Sequence, residues 1–496
     1  MPTALRFVLS IALLAAPCAA QVHYFKDGRP WSNRARSGPD ASVPGWFYNL
    51  GISGIRVELT EDAPRHLLVR HVFDGSPAHK RVQVGDWITG AGGAPFAEEH
   101  QNGYGTQVFG ARGPISAFAA ALEHAQTKEG RGKLELSLLR DGEAVSTTLD
   151  VGRTYGAFTE TFPADCPKSD RMRRELLDWL VEEQQANGSF GNPVHNTFAP
   201  LALLTSTTPA HRKAVERCAR FHASTTHAKD DSSLINWRYM AAAIVLSEYH
   251  LATGERWVLD ELQEVYDFLM STQYVDMAQI DPRSKESHPG SYPKSAADAY
   301  GGWGHNPGFE GYGPICMLTG QGALALSLMA RCGIEVDRER HDAAFEFCAR
   351  GTGPNGYVWY EDEVGNPDGW ADHGRTGAAG LANWVSTYED ERYRSRAAKH
   401  AAVIGAHPES FPDTHGSPVM GMGYAAACAA FDPDSFRRLM DANRWWFALA
   451  PCGDRTCYYQ PNRDNAGYGD DARMSASAVV AFILSIPKKN LVTTGR

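Results

Sequence analysis

The stretch Gly301-Gly302-Trp303-Gly304-His305-Asn306-Pro307-Gly308, with the run Gly320–Cys332 behind it, decides the fold. A glycine-rich aromatic loop feeds a segment whose apolar residues recur at helical spacing. The unit returns along the chain. Asn187-Gly188-Ser189-Phe190, Asn355-Gly356-Tyr357 and Gly453 to Tyr459 are loops of the same kind, several of them followed by an alanine-rich helix. Around them Met172–Gln185, Trp237–Thr253, Trp257–Thr272, Asp342–Ala349, Gly377–Tyr388, Arg394–Ile404, Met422–Ala430 and Met474–Ile486 read as helices. A loop-then-helix unit repeated every several tens of residues marks a repeat architecture. Closing such hairpins into a ring buries each apolar face between two neighbours and leaves a central cavity ringed by helix N-termini. An all-α domain of paired helices is therefore expected over 167–487, with a C-terminal tail at 488–496.

Trp179-Leu180…Gln184 with Asn187-Gly188-Ser189-Phe190, and Gly301-Gly302-Trp303-Gly304…Pro307-Gly308, resemble the repeat of the terpenoid cyclase and protein prenyltransferase α/α-toroids. The resemblance implies the fold. The chemistry of those families needs motifs that this chain lacks. There is no Asp-x-Asp-Asp acid, no Gly-Cys-Gly-Glu-Gln thioester and no convincing Asp/Cys/His zinc set. Asp230-Asp231 and Asp470-Asp471 lack the later aspartate of a magnesium-binding Asp-Asp-x-x-Asp. No cofactor and no metal are expected. What remains is the toroid used by secreted polysaccharide hydrolases and lyases.

Upstream, the texture is that of strands with one helix. Ile55–Leu59 and Leu68–Val72 alternate in strand fashion, Gly75-Ser76-Pro77-Ala78 is a turn, and Val84-Gly85-Asp86-Trp87-Ile88 follows. Pro114 opens a helix over Ile115–Ala125, proline being favoured in a first turn. Leu134–Leu139 and Ala144–Val151, joined at Asp141-Gly142, form a hairpin. This order, with Gly-Ser-Pro-Ala and Val-Gly-Asp-Trp-Ile, resembles the PDZ domain of exported bacterial proteins, here over 45–153 and followed by a linker at 154–166. The resemblance implies capture of a peptide C-terminus as an added strand, its carboxylate held by a loop at Leu50-Gly51-Ile52 or Ser53-Gly54-Ile55. Ser53 replaces the usual apolar residue, and Glu98–Phe109 reads as an insertion. The whole arrangement resembles an uncharacterised family of exported bacterial PDZ-plus-toroid proteins, which implies no activity.

Arg6, the apolar run Phe7–Ala16 and Pro17-Cys18-Ala19-Ala20 read as a signal peptide at 1–20, ahead of an extension at 21–44. Lipid attachment at Cys18 is the alternative to cleavage near Ala20. The expected location is periplasmic or extracellular, with no transmembrane segment. The 496 residues carry a net charge of -10, with 43% hydrophobic and 21% charged residues, a globular composition without the basic field of a nucleic-acid partner. Of nine cysteines, Cys452 and Cys457 form the expected disulfide. Cys218, Cys316, Cys332, Cys348 and Cys428 lie in apolar helical stretches and read as buried thiols.

Candidate chemistry clusters in the glycine-rich loops. Glycoside hydrolysis needs two carboxylates flanking the bond, for which Glu310 and Asp372 are chosen, with Asp471 in reserve. Polysaccharide elimination needs a base, an acid and a group that neutralises a uronate, here His305 or His373, Tyr312 and Arg375. Trp303, Trp370 and Tyr424 complete the set as substrate-binding aromatics, beside further loop residues His415, Tyr468, Asp470 and Arg473 and the pair His195 and Asn196. Simpler readings stand beside these. Asp372 caps a helix or pairs with Arg375, Trp303 packs in the core, and Asp470 caps the last helix. The chain thus reads as a secreted carbohydrate-active hydrolase or lyase acting on polysaccharide in the toroid cavity. The alternative is a non-enzymatic scaffold with a peptide held at 50–55.

Overall fold

The computed structural model describes residues 25–26, 29–30, 46–60, 62–100, 111–153, 155–227, 234–287, 289, 292–308, 313–388, 390–412, 419–458 and 472–496. The expected leader, most of the insertion 98–109, Asp230-Asp231, Glu310, Tyr312, His415 and Tyr468 to Asp471 lie outside the described residues.

Two short strands, β1 (Phe25–Lys26) and β2 (Arg29–Pro30), pair with each other. An antiparallel sheet follows, built from β3 (Trp46–Asn49), β4 (Ile55–Leu59), β5 (Leu67–Val72), β6 (Trp87–Ala91), β7 (Ala94–Pro95), β8 (Lys133–Arg140) and β9 (Glu143–Asp150). Its order is β3-β4-β5-β6-β8-β9, with β7 paired to β6. Asp141 and Gly142 both take positive φ, 49° and 86°, as a two-residue hairpin loop demands. Helix α1 (Pro114–Ala125) begins at its proline, as expected, and buries Ile115, Phe118, Ala119 and Leu122.

The hairpin of β3 and β4 corrects one expectation. Asn49 lies opposite Arg56 and Trp46 opposite Leu59, so β3 fills one edge of β4 while β5 fills the other. Neither edge is left for an added peptide strand. Leu50, Gly51, Ile52, Ser53, Gly54 and Ile55 are all buried. Their amides serve the turn: Leu50 N bonds Ile55 O at 2.8 Å, and Gly54 N bonds Gly51 O at 3.1 Å.

The helical body contains α2 (Pro167–Glu183), α3 (Pro193–Leu204), α4 (Pro209–Thr225), α5 (Ile235–Thr253), α6 (Val258–Thr272), the short α7 (Pro282–Ser287), α8 (Cys316–Arg331), α9 (Arg338–Arg350), α10 (Gly374–Val385), α11 (Glu391–Ala406), α12 (Met420–Ala429), α13 (Pro433–Ala442), the short α14 (Arg444–Leu449) and α15 (Ala472–Ser485). Helices α3, α5, α8, α10, α12 and α15 each pack on the next, and α15 packs back on α3, which closes a ring. Outside it, α2, α4, α6, α9, α11 and α13 cover the grooves between inner neighbours. The repeat reading is realised as six outer–inner hairpins.

The two layers differ in sequence for a physical reason. An outer helix needs one apolar stripe, and α6 buries only Val258, Leu262, Val265, Tyr266 and Leu269. An inner helix touches protein on every side, and α12 is buried along its whole length. Small residues allow the approach: a Cβ on Gly377 of α10 would stand 2.4 Å from Ala425 N of α12. Neighbouring inner helices therefore meet backbone to backbone around the ring. The far end of the ring is closed by the last residues of the chain. Glu248 of α5, wholly buried, accepts from Val492 N at 3.1 Å, Thr493 N at 2.7 Å and Thr493 Oγ at 2.7 Å, holding the last residues against the ring.

Sheet and ring share one continuous apolar core. Helix α14 packs on α1, and Tyr48 meets Trp445 edge-on with ring centres 6.2 Å apart. Lys168 of α2 pairs with Glu123 of α1 at 3.2 Å, both nearly covered. No helix among the described residues is long and apolar enough to cross a membrane.

Candidate functional site

The first turns of the inner helices meet on one rim. His195 of α3 bonds Ser475 of α15, Nε2 to Oγ at 2.7 Å. Asn236 of α5 donates to Gly304 O at 2.8 Å, in the loop that leads to α8. A Cβ on Gly374 of α10 would lie 2.9 Å from Gly421 Cα of α12 and 3.7 Å from Met317 Cε of α8. Six helix N-termini on one rim bring their unpaired amides and positive dipole ends together.

Asp372, His373 and Arg375 stand together at the head of α10. Asp372 Oδ1 accepts from Gly374 N at 3.2 Å, and its Oδ2 pairs with Arg375 at 3.2 Å. Arg375 also donates to the Tyr357 hydroxyl at 2.7 Å. Burial works against the Arg375 charge, but Asp372 and Tyr357 more than reverse it and hold the guanidinium protonated. Burial pushes the Tyr357 phenol up. The aspartate thus makes the helix-head and ion-pair contacts of the simpler reading. His373 is 1% exposed, and burial pushes its pKa down to about 4, so it is neutral. Its Nε2 faces His407 O at 2.7 Å, and its Nδ1 has no hydrogen-bond partner among the described residues.

The aromatic expectations divide. Trp303 is fully buried and donates from Nε1 to Leu269 O at 2.9 Å, so it is a core residue rather than a sugar platform. Tyr424 is likewise internal, its hydroxyl bonded to Gln321 Oε1 at 3.1 Å, and burial raises its pKa. Trp370 is half-buried and stacks on His407, with ring centres 3.6 Å apart and planes 12° off parallel. His305 is half-buried too. Its Nδ1 accepts from Trp237 Nε1 at 2.8 Å, and the rings stack at 5.8 Å. A cavity of about 140 Å³ opens beside it, lined by Gly304, Asn306, Gly308, Tyr274, Gln279 and Thr272 among others. Neither Trp237 nor His407 was chosen from sequence. Each lies far along the chain from the histidine or tryptophan it stacks on, so no local pattern marks it.

The expected Cys452–Cys457 bridge is not formed. Both carry buried thiols, on a bend closed by Cys452 N to Thr456 O at 2.9 Å. Among the described residues one group could hold a cation: His227, Glu261 and Glu264, whose ligand atoms lie within 4.8 Å of one another near the surface between α4 and α6.

The sequence profile of a family described as a domain of unknown function, DUF6288, matches residues 169–495. No curated protein matches the chain. Among solved structures, it is similar in outline to an inactive variant of the α-1,6-mannanase GH76A of Salegentibacter sp. HEL1_6 bound to α-1,6-mannotriose (12% identity, 65% of this chain and 99% of that one, TM-score 0.46). It is similar also to a GH76 α-mannanase of Bacteroides thetaiotaomicron (14% identity, 67% and 97%, TM-score 0.43). A third is a family 88 glycosyl hydrolase of Bacteroides vulgatus (12% identity, 65% and 99%, TM-score 0.42).

Proposed function

The chain belongs to the DUF6288 family, and from its rim we propose that it is an exported carbohydrate-active enzyme, a polysaccharide hydrolase whose substrate lies across the heads of the inner helices. The observation that carries this reading is the asymmetry of the ring. One end is closed by the residues clasped by Glu248. The other gathers six helix N-termini, two half-buried aromatic–histidine stacks and an uncharged cavity beside His305. Stacked aromatics with neutral polar groups suit a sugar ring.

Hydrolysis is favoured over elimination by the state of Arg375. Held by Asp372 and Tyr357, it is 7% exposed and already engaged within the fold. Asp372 is equally engaged, so Glu310 and Asp471, each just ahead of an inner helix in sequence, are the carboxylates we assign to acid and base. The sheet domain, read over 45–153, is PDZ-like in its order of strands, Gly-Ser-Pro-Ala turn and helix α1, and acts as a docked accessory to the ring over 167–487. A second reading, a non-enzymatic scaffold, draws support from the engagement of Asp372, His373 and Arg375 within the fold.

The test is a panel of neutral and uronate polysaccharides, read separately for new reducing ends and for unsaturated uronates. Reducing ends made by the native protein and lost in E310Q and D471N are expected. Unsaturated uronates would replace hydrolysis by elimination. No turnover of any polysaccharide would leave the scaffold reading.

A further inference from the structure

We propose that Ser475 and His195 form a nucleophile–base pair that hydrolyses a small acyl ester, an activity separate from the polysaccharide reading.

The pair joins the first turns of two helices that adjoin only because the ring closes. Ser475 Oγ lies 2.7 Å from His195 Nε2. The other ring nitrogen, Nδ1, lies 3.2 Å from the Phe190 carbonyl. A carbonyl only accepts, so Nδ1 carries the ring proton. In the neutral imidazole Nε2 is then the acceptor, and the Ser475 hydroxyl donates to it. This is the arrangement a base-activated serine requires: nucleophile to base, and base held in one tautomer by a third group.

The third group is itself held. Asn196 Oδ1 accepts from Phe190 N at 2.7 Å, and Asn196 Nδ2 donates to Gly191 O at 2.7 Å. Asn192 Oδ1 accepts from His195 N at 3.1 Å and so caps α3. Gly191 takes φ +121°, and a Cβ there would come within 2.8 Å of His195 Nδ1. Only glycine leaves the imidazole its place. Ser475 lies in the first turn of a 14-residue helix, whose first backbone amides lack intrahelical acceptors and are the donors we assign to the developing negative charge.

In the reaction, Oγ attacks the ester carbonyl carbon while its proton passes to Nε2. The tetrahedral intermediate expels the alcohol, which takes that proton, leaving the acyl group on Ser475. Water then attacks the acyl carbon, giving its proton to Nε2. The carboxylic acid leaves, and Oγ recovers the proton. No other reactant is needed. Because His195 and Ser475 are each only 4% exposed, the ester we assign to the pair is a small one such as an acetyl ester.

The test uses the full-length protein. A fluorophosphonate probe, mapped by peptide mass spectrometry, is expected to label Ser475. Hydrolysis of p-nitrophenyl acetate is expected to exceed that of p-nitrophenyl octanoate and to fall about 100-fold or more in S475A and H195Q, the scale of a lost general base. G191A, which displaces the ring, should lower the rate while Ser475 remains present. Thermal unfolding of each variant separates lost chemistry from lost fold. Failure of the folded native protein to label, an adduct on another residue, or unchanged ester turnover in folded S475A would each overturn the proposal, whatever the polysaccharide panel returns.

Discussion

Arg375 Nη2 stands 3.2 Å from Asp372 Oδ2, with the two side chains only 8% and 5% exposed. A charge pair so deeply covered persists only because each member satisfies the other. Removing one strands its partner without water or counter-charge.

Asp372→Ala is therefore expected to lower the unfolding free energy by about 3–5 kcal/mol. It also deletes the cap on Gly374 N. Urea denaturation measures the change. A loss below about 1 kcal/mol would show that the Arg375 charge finds other compensation.

Acid should weaken the fold through three buried histidines. Burial pushes His222, His373 and His400 down to about 4 from an ordinary 6.5. A folded-state pKa below the unfolded value means that the unfolded chain binds the proton first. The stabilisation is complete above pH 6.5 and is lost as pH falls through 4, by about 3 kcal/mol for each residue. Melting temperatures between pH 7 and pH 4 should fall steadily, and less steeply in H400Q. A flat profile would contradict the neutral, buried assignment.

Glu248→Ala should release the C-terminal residues. It leaves the amides of Val492 and Thr493 and the Thr493 hydroxyl without their buried acceptor. A cost of about 3 kcal/mol follows from stranded buried donors. Amide exchange over 491–496 should quicken well beyond that of α5. Exchange unchanged at those residues would mean that other contacts hold the tail.

Gly377→Ala tests the close approach of α10 and α12. The added methyl meets the α12 backbone at 2.4 Å, and backbone cannot turn aside as a side chain does. Overpacking of this kind costs about 1–3 kcal/mol. A variant as stable as the native protein would show that α10 and α12 separate freely.

The two-texture layout was legible because it depends on local pattern. Strand alternation, the positive-φ turn at Asp141-Gly142, Pro114 at a helix start and the glycine-aromatic loops all act within a few residues. The helices expected from Met172 to Ile486 fall on helices of the body, since an apolar stripe at helical spacing has few other solutions, whereas α3, α4 and α13 were not singled out. The candidate site was less legible. Asp372, His373 and Arg375 do cluster, as their proximity in sequence suggested. Their availability was not written there, because burial depends on what packs over the head of α10.

What the sequence by itself determined, then, is the order and type of elements: strands with one helix, then glycine-rich aromatic loops alternating with helices. What only the tertiary structure decided is which polar groups face one another. Strand β3 occupies the edge of β4 because the hairpin folds back on itself. Trp303 lies in the core because Gly322 leaves it room. His195 meets Ser475 across 280 residues because the ring closes. Local propensity acts over a turn or two of chain, whereas these contacts come from excluding water between elements distant in sequence. The physical reason is that helix spacing sets which face is apolar, while closure of the ring sets which neighbour covers it.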